Sequence, residues 1–168
     1  SCLSTPVLRS AAIHGNFAGT KKGPAARPPG PEEHRTATSD GRNAILAQGA
    51  AELDTFPKYL LLNAERFRGR PAMRHKDQGI WQTWRWKDQL EEVRDFALGL
   101  ESLGVAHGDR VAIAMRNSPE WVAAFAAIVS VGAIAVPMNA WWQTEELEFA
   151  VGDSTPAVIL ADAERVRR

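Results

Sequence analysis

The stretch that decides the fold runs from Leu103 to Trp121 and reads LGVAHGDRVAIAMRNSPEW. Its centre, Arg110 to Met115, is a short apolar run without polar alternation. Such a run predicts a strand that is covered on both faces of a sheet. The next residues predict the start of a helix. Ser118 is suited to cap the helix, Pro119 fits its first turn, and Glu120 places an acid near its positive end.

The same alternation of strands and helices continues downstream. We predict a nearly all-apolar helix from Pro119 to Val131 and then a strand at 133–137, within GAIAVPMN. A further helix capped by Thr144, a turn at 153–156 and a third strand at 157–161 complete the pattern. Short links between these elements predict an α/β fold: a partial parallel sheet with flanking helices and right-handed crossovers.

Upstream, the pattern predicts two helices and a hairpin. Thr55 caps a helix that ends at Gly69, and a second helix follows at 87–103. Between them, the segments 71–76 and 80–86 predict two strands joined by a tight turn. The sheet therefore has an N-terminal β-hairpin beside it. On this hairpin, alternation predicts that Trp84 and Trp86 share one face and that Trp81 points to the other.

Residues 1–54 differ from residues 55–168, so we divide the chain at this point. Four prolines lie between Lys21 and Asp40 among glycine, alanine and charged residues, with no periodic apolar face. Such a segment buries too little apolar surface to offset the entropy of ordering, so we predict that residues 1–54 are disordered or of low complexity. Residues 1–31 contain four basic residues and no acid, as a transit peptide can, but we favour a tail or translated upstream sequence.

Composition excludes some functions. The 168 residues carry 20 basic and 20 acidic side chains, so the charge balance gives no support to nucleic-acid binding. Cys2 is the only cysteine, which rules out a disulfide within the chain. No apolar run reaches the roughly 20 residues that a membrane-spanning helix needs. Ser1 in place of Met, together with an unfinished helix pattern at 163–168, predicts a fragment.

Three motifs in this order resemble the adenylate-forming superfamily, which includes acyl-CoA synthetases, luciferases and peptide-synthetase adenylation domains. They are Gly-Asp-Arg-Val at 108–111, Asn-Ser-Pro-Glu-Trp at 117–121 and Gly-Ala-Ile-Ala-Val-Pro-Met-Asn at 132–139. The resemblance covers about Phe56 to Val166. The segments 79–84 and 139–148 are similar to long-chain and bacterial fatty-acyl-CoA ligases, respectively.

The resemblance implies both a fold and a reaction. The residues from 55 onward would be the N-terminal subdomain of an acyl-CoA synthetase. Such an enzyme joins a fatty acid or another carboxylate to ATP, with Mg²⁺, and then passes the acyl group to coenzyme A. The implied location is cytoplasmic, with peripheral contact to a membrane left open.

The chain lacks the parts that perform this chemistry in the family, so we assign no catalytic, cofactor-binding or metal-binding residue. The Ser/Thr/Gly-rich phosphate loop ending in Pro-Lys is absent, and we expect ATP, Mg²⁺ and CoA not to bind this fragment tightly. Gly19 to Pro24 only superficially resembles a phosphate loop, because no strand precedes it and no helix follows.

We interpret several other residues as structural. His75 and His107 lack metal-ligand spacing and fit surface or turn roles. Asp109 and Arg110 fit a turn and the first residue of a strand. The pair at 141–142, Trp-Trp, either borders a ligand entrance or packs against a sheet edge.

Two alternatives to an inactive ligase fragment remain open. The first is a truncated, non-catalytic binding or regulatory module of the same fold. The second is a small, complete α/β domain unrelated to the family. Aggregation of the purified chain would favour a fragment, because unpaired strand edges and an uncovered apolar helix promote association.

Overall fold

Strand β4 (Arg110–Ala114) lies at the centre of a computed structural model that describes residues 9–12 and 53–167. Val111, Ala112 and Ile113 are completely buried. Successive side chains of a strand point to opposite faces, so the two faces of β4 contribute to two separate cores. This burial explains why residues 111–114 of the strand are all apolar.

The parallel sheet predicted from the sequence is confirmed. Strand β4 pairs in parallel with β5 (Ile134–Pro137) on one side and with β6 (Val158–Ala161) on the other. A fourth strand, β1 (Arg9–Ala12), pairs in parallel with β6. The strand order is β1-β6-β4-β5.

Strand β1 corrects the sequence prediction in two respects. The sequence predicts only three strands in this sheet, and it predicts disorder where β1 forms. The four residues RSAA carry no apolar pattern, so their pairing depends on the free edge of β6 and not on their own preference. Residues 1–8 and 13–52 lie outside the described residues, where the prediction of disorder stays a prediction.

Three helices cover one face of the sheet and one helix covers the other. Helices α1 (Phe56–Phe67), α2 (Trp86–Ser102) and α3 (Pro119–Ser130) enclose the larger core, and α4 (Thr144–Ser154) lies over the smaller one. The larger core contains Leu100, Val111, Ile113, Ile128 and Val158. The smaller core contains Ala112, Ala114, Met138 and Ala161, against which Leu147, Ala150 and Val151 of α4 pack.

Helix α3 is covered on more than one side, as its nearly all-apolar sequence predicts. Ala123, Ala124, Ala127 and Ile128 are completely buried, and both α1 and α2 contact the helix. Trp121 is half-buried and stacks on Phe125 with ring centroids 5.7 Å apart. The helix therefore has partners within the described residues, contrary to the expectation that its apolar surface is left uncovered.

The predicted hairpin is also present. Strands β2 (Pro71–Asp77) and β3 (Ile80–Arg85) pair antiparallel, and the turn between them has positive φ at both Gln78 and Gly79. Trp84 and Trp86 pack against the larger core, whereas Trp81 is exposed, as alternation predicts. Trp86 itself begins α2 instead of ending β3.

Two helix ends differ from the prediction. The residue that caps α4 is Gln143 and not Thr144, because the Gln143 amide donates a hydrogen bond to the Glu146 carboxylate at 2.8 Å. Helix α4 continues to Ser154 before the chain turns at Thr155. At the other end of the chain, the predicted helix after residue 163 is a short 3₁₀ helix, Arg165–Arg167.

Candidate functional site

The carboxyl ends of β4 and β6 meet at a point where the direction of the sheet connections reverses. The chain passes from β4 to β5 on one side of β4 and then crosses to β6 on the other side. In open α/β sheets, ligands bind in the crevice outside the carboxyl ends of the strands at such a point. We therefore take the loops at 115–118, 138–143 and 162–167 as the candidate site.

Asp162, directly after β6, joins two of these loops. Its carboxylate accepts hydrogen bonds from the backbone amides of Arg116 and Arg165, both at 3.0 Å, and from the amide of Glu164 at 3.2 Å. The amide of Asp162 in turn donates to the Ala114 carbonyl at 3.3 Å. The end of β4 and the start of the 3₁₀ helix are thus held together by one side chain.

Arg165 extends the connection to the third loop. Its side chain is only 2% exposed, and its guanidinium lies 3.1 Å from Asp162 and 3.1 Å from Glu164. The Nε and Nη2 atoms both donate to the Ala140 carbonyl. Because a buried guanidinium is costly without partners, this arrangement fixes the loop between β5 and α4 against the end of β6.

The charge state of Asp162 follows from these contacts. Burial raises the pKa of the carboxyl group, but hydrogen bonds from the Arg116 and Arg165 amides and the positive charge of Arg165 lower it more strongly. The net effect places the pKa below its usual value. Asp162 is therefore an ionised, fully engaged carboxylate at neutral pH and is not suited to act as a general base.

The loop after β5 presents two tryptophans in different ways. Asn139 Oδ1 accepts a hydrogen bond from the Trp141 amide at 2.9 Å, which tightens the turn. Trp142 is half-buried and packs against the smaller core, whereas Trp141 is 77% exposed. Packing is thus confirmed for Trp142, whereas the hypothesis that this pair borders a ligand entrance stays a prediction.

A second concavity lies between the hairpin and the start of α3. Its volume is about 440 Å³, and its lining includes Met73, His75, Asn117, Ser118 and Trp121. Ser118 occupies the N-cap position of α3 without a side-chain capping bond. The Nδ1 atom of His75 is buried there and has no hydrogen-bond partner among the residues that the structure describes.

The other residues considered from the sequence have structural roles. His107 is exposed and lies over Gly132. Asp109 closes a turn by accepting the Ala106 amide at 2.8 Å, and Arg110 begins β4 while its guanidinium bonds to Thr155. Within residues 53–167, no group of three His, Cys, Asp or Glu side chains is placed to hold a metal ion. The segment at 19–24, which superficially resembles a phosphate loop, lies outside the described residues.

Sequence reasoning missed Asp162 and Arg165. The sequence did contain one indication of Asp162. An acidic residue follows directly after a buried strand of a parallel sheet, and the loops of such a sheet converge at that end. The partner of Arg165, a backbone carbonyl 25 positions away, carries no side-chain signature in the sequence.

A family model described as AMP-binding enzyme matches residues 61–168, well over half of the chain. The chain belongs to this family. A long-chain-fatty-acid–CoA ligase of Mycobacterium bovis is 35% identical over 86 residues, which are 51% of this chain and 14% of that protein. The chain thus spans less than a fifth of the length of this relative, and it matches the N-terminal part.

Solved structures of the family have the same fold. The fatty acid AMP ligase from Legionella pneumophila superposes with a TM-score of 0.63 at 21% identity, over 70% of this chain and 21% of that chain. The O-succinylbenzoate coenzyme A synthetase of Bacillus subtilis gives a TM-score of 0.58 at 28% identity, over 63% and 27%. The family predicted from the three sequence motifs is confirmed, which excludes an unrelated α/β domain.

Of the helices within residues 53–167, none combines the length and the hydrophobicity that crossing a bilayer requires.

Proposed function

We propose that these residues form part of an ATP-dependent fatty acid–CoA ligase. The observation that carries the proposal is the family match across 61–168, joined to a relative named as a long-chain-fatty-acid–CoA ligase. The fatty acid carboxylate attacks the α-phosphorus of ATP, and pyrophosphate leaves. The thiol of coenzyme A then attacks the acyl carbon, and AMP leaves. Mg²⁺ accompanies the nucleotide.

The described residues provide structure for this reaction and not its reacting groups. The Asp162 carboxylate is held by hydrogen bonds and ion pairs from other described residues, which is a structural role. The one Pro-Lys pair of the sequence, Pro57-Lys58, lies inside α1 and not in a Ser/Thr/Gly-rich loop. We infer that the 168-residue chain alone does not adenylate a carboxylate.

Pyrophosphate exchange into ATP tests the proposal. The product of the complete gene is assayed with saturated fatty acids of several lengths, with benzoate and with O-succinylbenzoate, beside the 168-residue chain. We expect the complete product to exchange pyrophosphate with a fatty acid and to form the CoA thioester with release of AMP. The 168-residue chain should show no exchange above background.

Other outcomes would assign other functions. Release of ADP and phosphate would contradict an AMP-forming ligase, and a preference for the aromatic acids would contradict a fatty-acid substrate. Exchange catalysed by the 168-residue chain would show that it is active alone. Stoichiometric binding of fatty acid to this chain in calorimetry, without any activity of the complete product, would favour the alternative of a non-catalytic binding module.

A further inference from the structure

The β2–β3 hairpin concentrates positive charge that the balanced composition of the chain conceals. Residues 68–87 contain six Lys or Arg side chains and a single acid, Asp77, although the whole chain has no net charge. All six cations are exposed: Arg68, Arg70, Arg74, Lys76, Arg85 and Lys87. The remainder of the sequence therefore has a net negative charge.

The pairing of the two strands places several of these cations on one face. Lys76 lies opposite Trp81 and Arg74 lies opposite Thr83 in the antiparallel ladder. Alternation puts Arg85 on the same side as Trp81 and Thr83. We call these five residues the hairpin face; it carries three cations and no carboxylate.

The base of the hairpin continues this surface. The amides of Trp86 and Lys87 donate to the carbonyls of Arg70 and Arg68, both at 3.1 Å, so the backbones stay side by side below the strands. This contact brings the four cations at positions 68, 70, 85 and 87 close to one another. The guanidinium of Arg85 also donates to the Gly69 carbonyl at 2.9 Å, which fixes part of the base.

Exposed apolar side chains lie at the tip of the hairpin, beside the polar residues Asp77 and Gln78. Ile80 is 65% exposed and Trp81 is 59% exposed, although both are large hydrophobic side chains. The guanidinium of Arg74 lies 5.6 Å from the centre of the Trp81 ring, so a cation and an exposed ring lie side by side. Exposed aromatic and aliphatic side chains beside a cluster of cations match the polarity gradient of a membrane surface.

We propose that the hairpin docks on a membrane surface that bears anionic phospholipids. Ile80 and Trp81 enter the headgroup region, and the surrounding cations face the lipid phosphates and carboxylates. Each basic residue near such a surface strengthens binding several-fold, and the effect weakens as salt screens it. This proposal stands apart from the ligase reaction, because it rests only on the charge and exposure of the hairpin.

A nucleic acid would use the same cations, but the tip favours lipid. Proteins that bind single strands without sequence preference place aromatic rings where successive bases stack along a groove. Here one exposed aromatic ring stands beside an aliphatic side chain at the end of a narrow ribbon. Ile80 offers no stacking surface to a base, whereas it gains from transfer into a lipid interface.

Co-sedimentation of the 168-residue chain with lipid vesicles tests the proposal. Vesicles of phosphatidylcholine alone are compared with vesicles containing roughly one-third phosphatidylserine. The variant R70Q/R74Q/K76Q removes three cations from the hairpin, and the matched control K58Q/R94Q/R167Q removes three exposed cations elsewhere. A third variant, Trp81→Ala, removes the ring and keeps the charge. Urea unfolding of each variant verifies that the fold is intact.

We expect binding only to the vesicles that contain phosphatidylserine, with loss of binding at high salt. The hairpin variant should bind at least about tenfold more weakly than the unmodified chain, since three charges each contribute several-fold. The control variant should stay within about twofold. Trp81→Ala should weaken binding while leaving its dependence on salt unchanged.

Three results would overturn the proposal. Equal binding to both kinds of vesicle would show that anionic lipid is not required. Equal losses of vesicle binding in the hairpin and control variants would show that the hairpin is not the binding surface. Tighter binding to a single-stranded oligonucleotide than to the vesicles, abolished by the same hairpin variant, would assign the surface to nucleic acid. None of these measurements depends on catalysis, so they separate this proposal from the ligase assignment.

Discussion

At the scale of single residues, Gly132 illustrates a position that favours glycine. Its φ is +75°, and a Cβ atom there would lie 2.5 Å from Cδ2 of His107. Gly132→Ala should lower the free energy of unfolding by about 2–3 kcal/mol, because it adds left-handed backbone strain to a steric clash. Urea denaturation followed by tryptophan fluorescence measures this change.

Gly99→Ala is the matched control for this prediction. Gly99 lies inside α2, and a Cβ atom there meets nothing within 4 Å. The substitution should therefore stabilise the chain by about 0.5–1 kcal/mol. Adding His107→Ala to Gly132→Ala should recover part of the loss by removing the clash. Equal effects of the two glycine substitutions would show that the contact with His107 is unimportant.

Asp162 gives a prediction that depends on pH. Its pKa is lowered in the folded chain, so its stabilising contribution is complete above the ordinary value near 4 and is lost as pH falls through the lowered value. Asp162→Asn should cost about 2 kcal/mol at neutral pH, because Arg165 is buried and loses an anionic partner. The difference from the unmodified chain should shrink below pH of about 4.

Denaturation at several pH values measures this difference, with Asp153→Asn as the control. Asp153 is an exposed acid near the end of α4, and its substitution should change stability by less than about 0.5 kcal/mol at any pH. A constant deficit of Asp162→Asn from neutral to acidic pH would contradict the role of the ionised carboxylate.

At the scale of the elements, the start of α4 depends on a reciprocal cap. The Gln143 amide donates to the Glu146 carboxylate, while the neighbouring Glu145 lies in the same first turn. Glu146→Ala should destabilise the chain by about 1 kcal/mol, and Glu145→Ala by clearly less. Because both changes remove one acid from the helix start, the difference between them isolates the capping bond. Thermal unfolding by circular dichroism measures both, and equal losses would mean that only the helix dipole matters.

The elements also show what local sequence can predict. Helices α1, α2 and α3 begin and end within about two residues of the predicted positions, because caps, prolines and glycines act locally. The cap of α4 was misplaced by one residue, since Gln143 takes a role that Ser, Thr, Asn or Asp usually fills. Strand β1 was missed altogether, because its pairing with β6 is a long-range contact.

At the scale of the whole molecule, β5 exposes a strand edge. Within the described residues, β5 pairs only with β4, and Ile134 on β5 is 52% exposed. Such an edge promotes association between chains. Ile134→Lys should therefore reduce aggregation of the purified chain, measured by light scattering at increasing concentration.

The matched control is Leu98→Lys on α2, where Leu98 is 53% exposed. Both substitutions replace an equally exposed apolar side chain with a cation, but only one of them lies on a strand edge. We expect the helix substitution to reduce aggregation much less. If both substitutions improve solubility equally, general hydrophobic exposure and not the strand edge causes association.

The sequence by itself determined the central strand, the helices on either side and the family. These features depend on local rules: apolar runs, caps, turn glycines and motifs read within a few residues of one another. The tertiary structure alone decided the pairing of β1 and the Asp162–Arg165 connection across three loops. Each of these joins residues distant in the chain, and their meeting depends on packing and strand register, which no local pattern encodes.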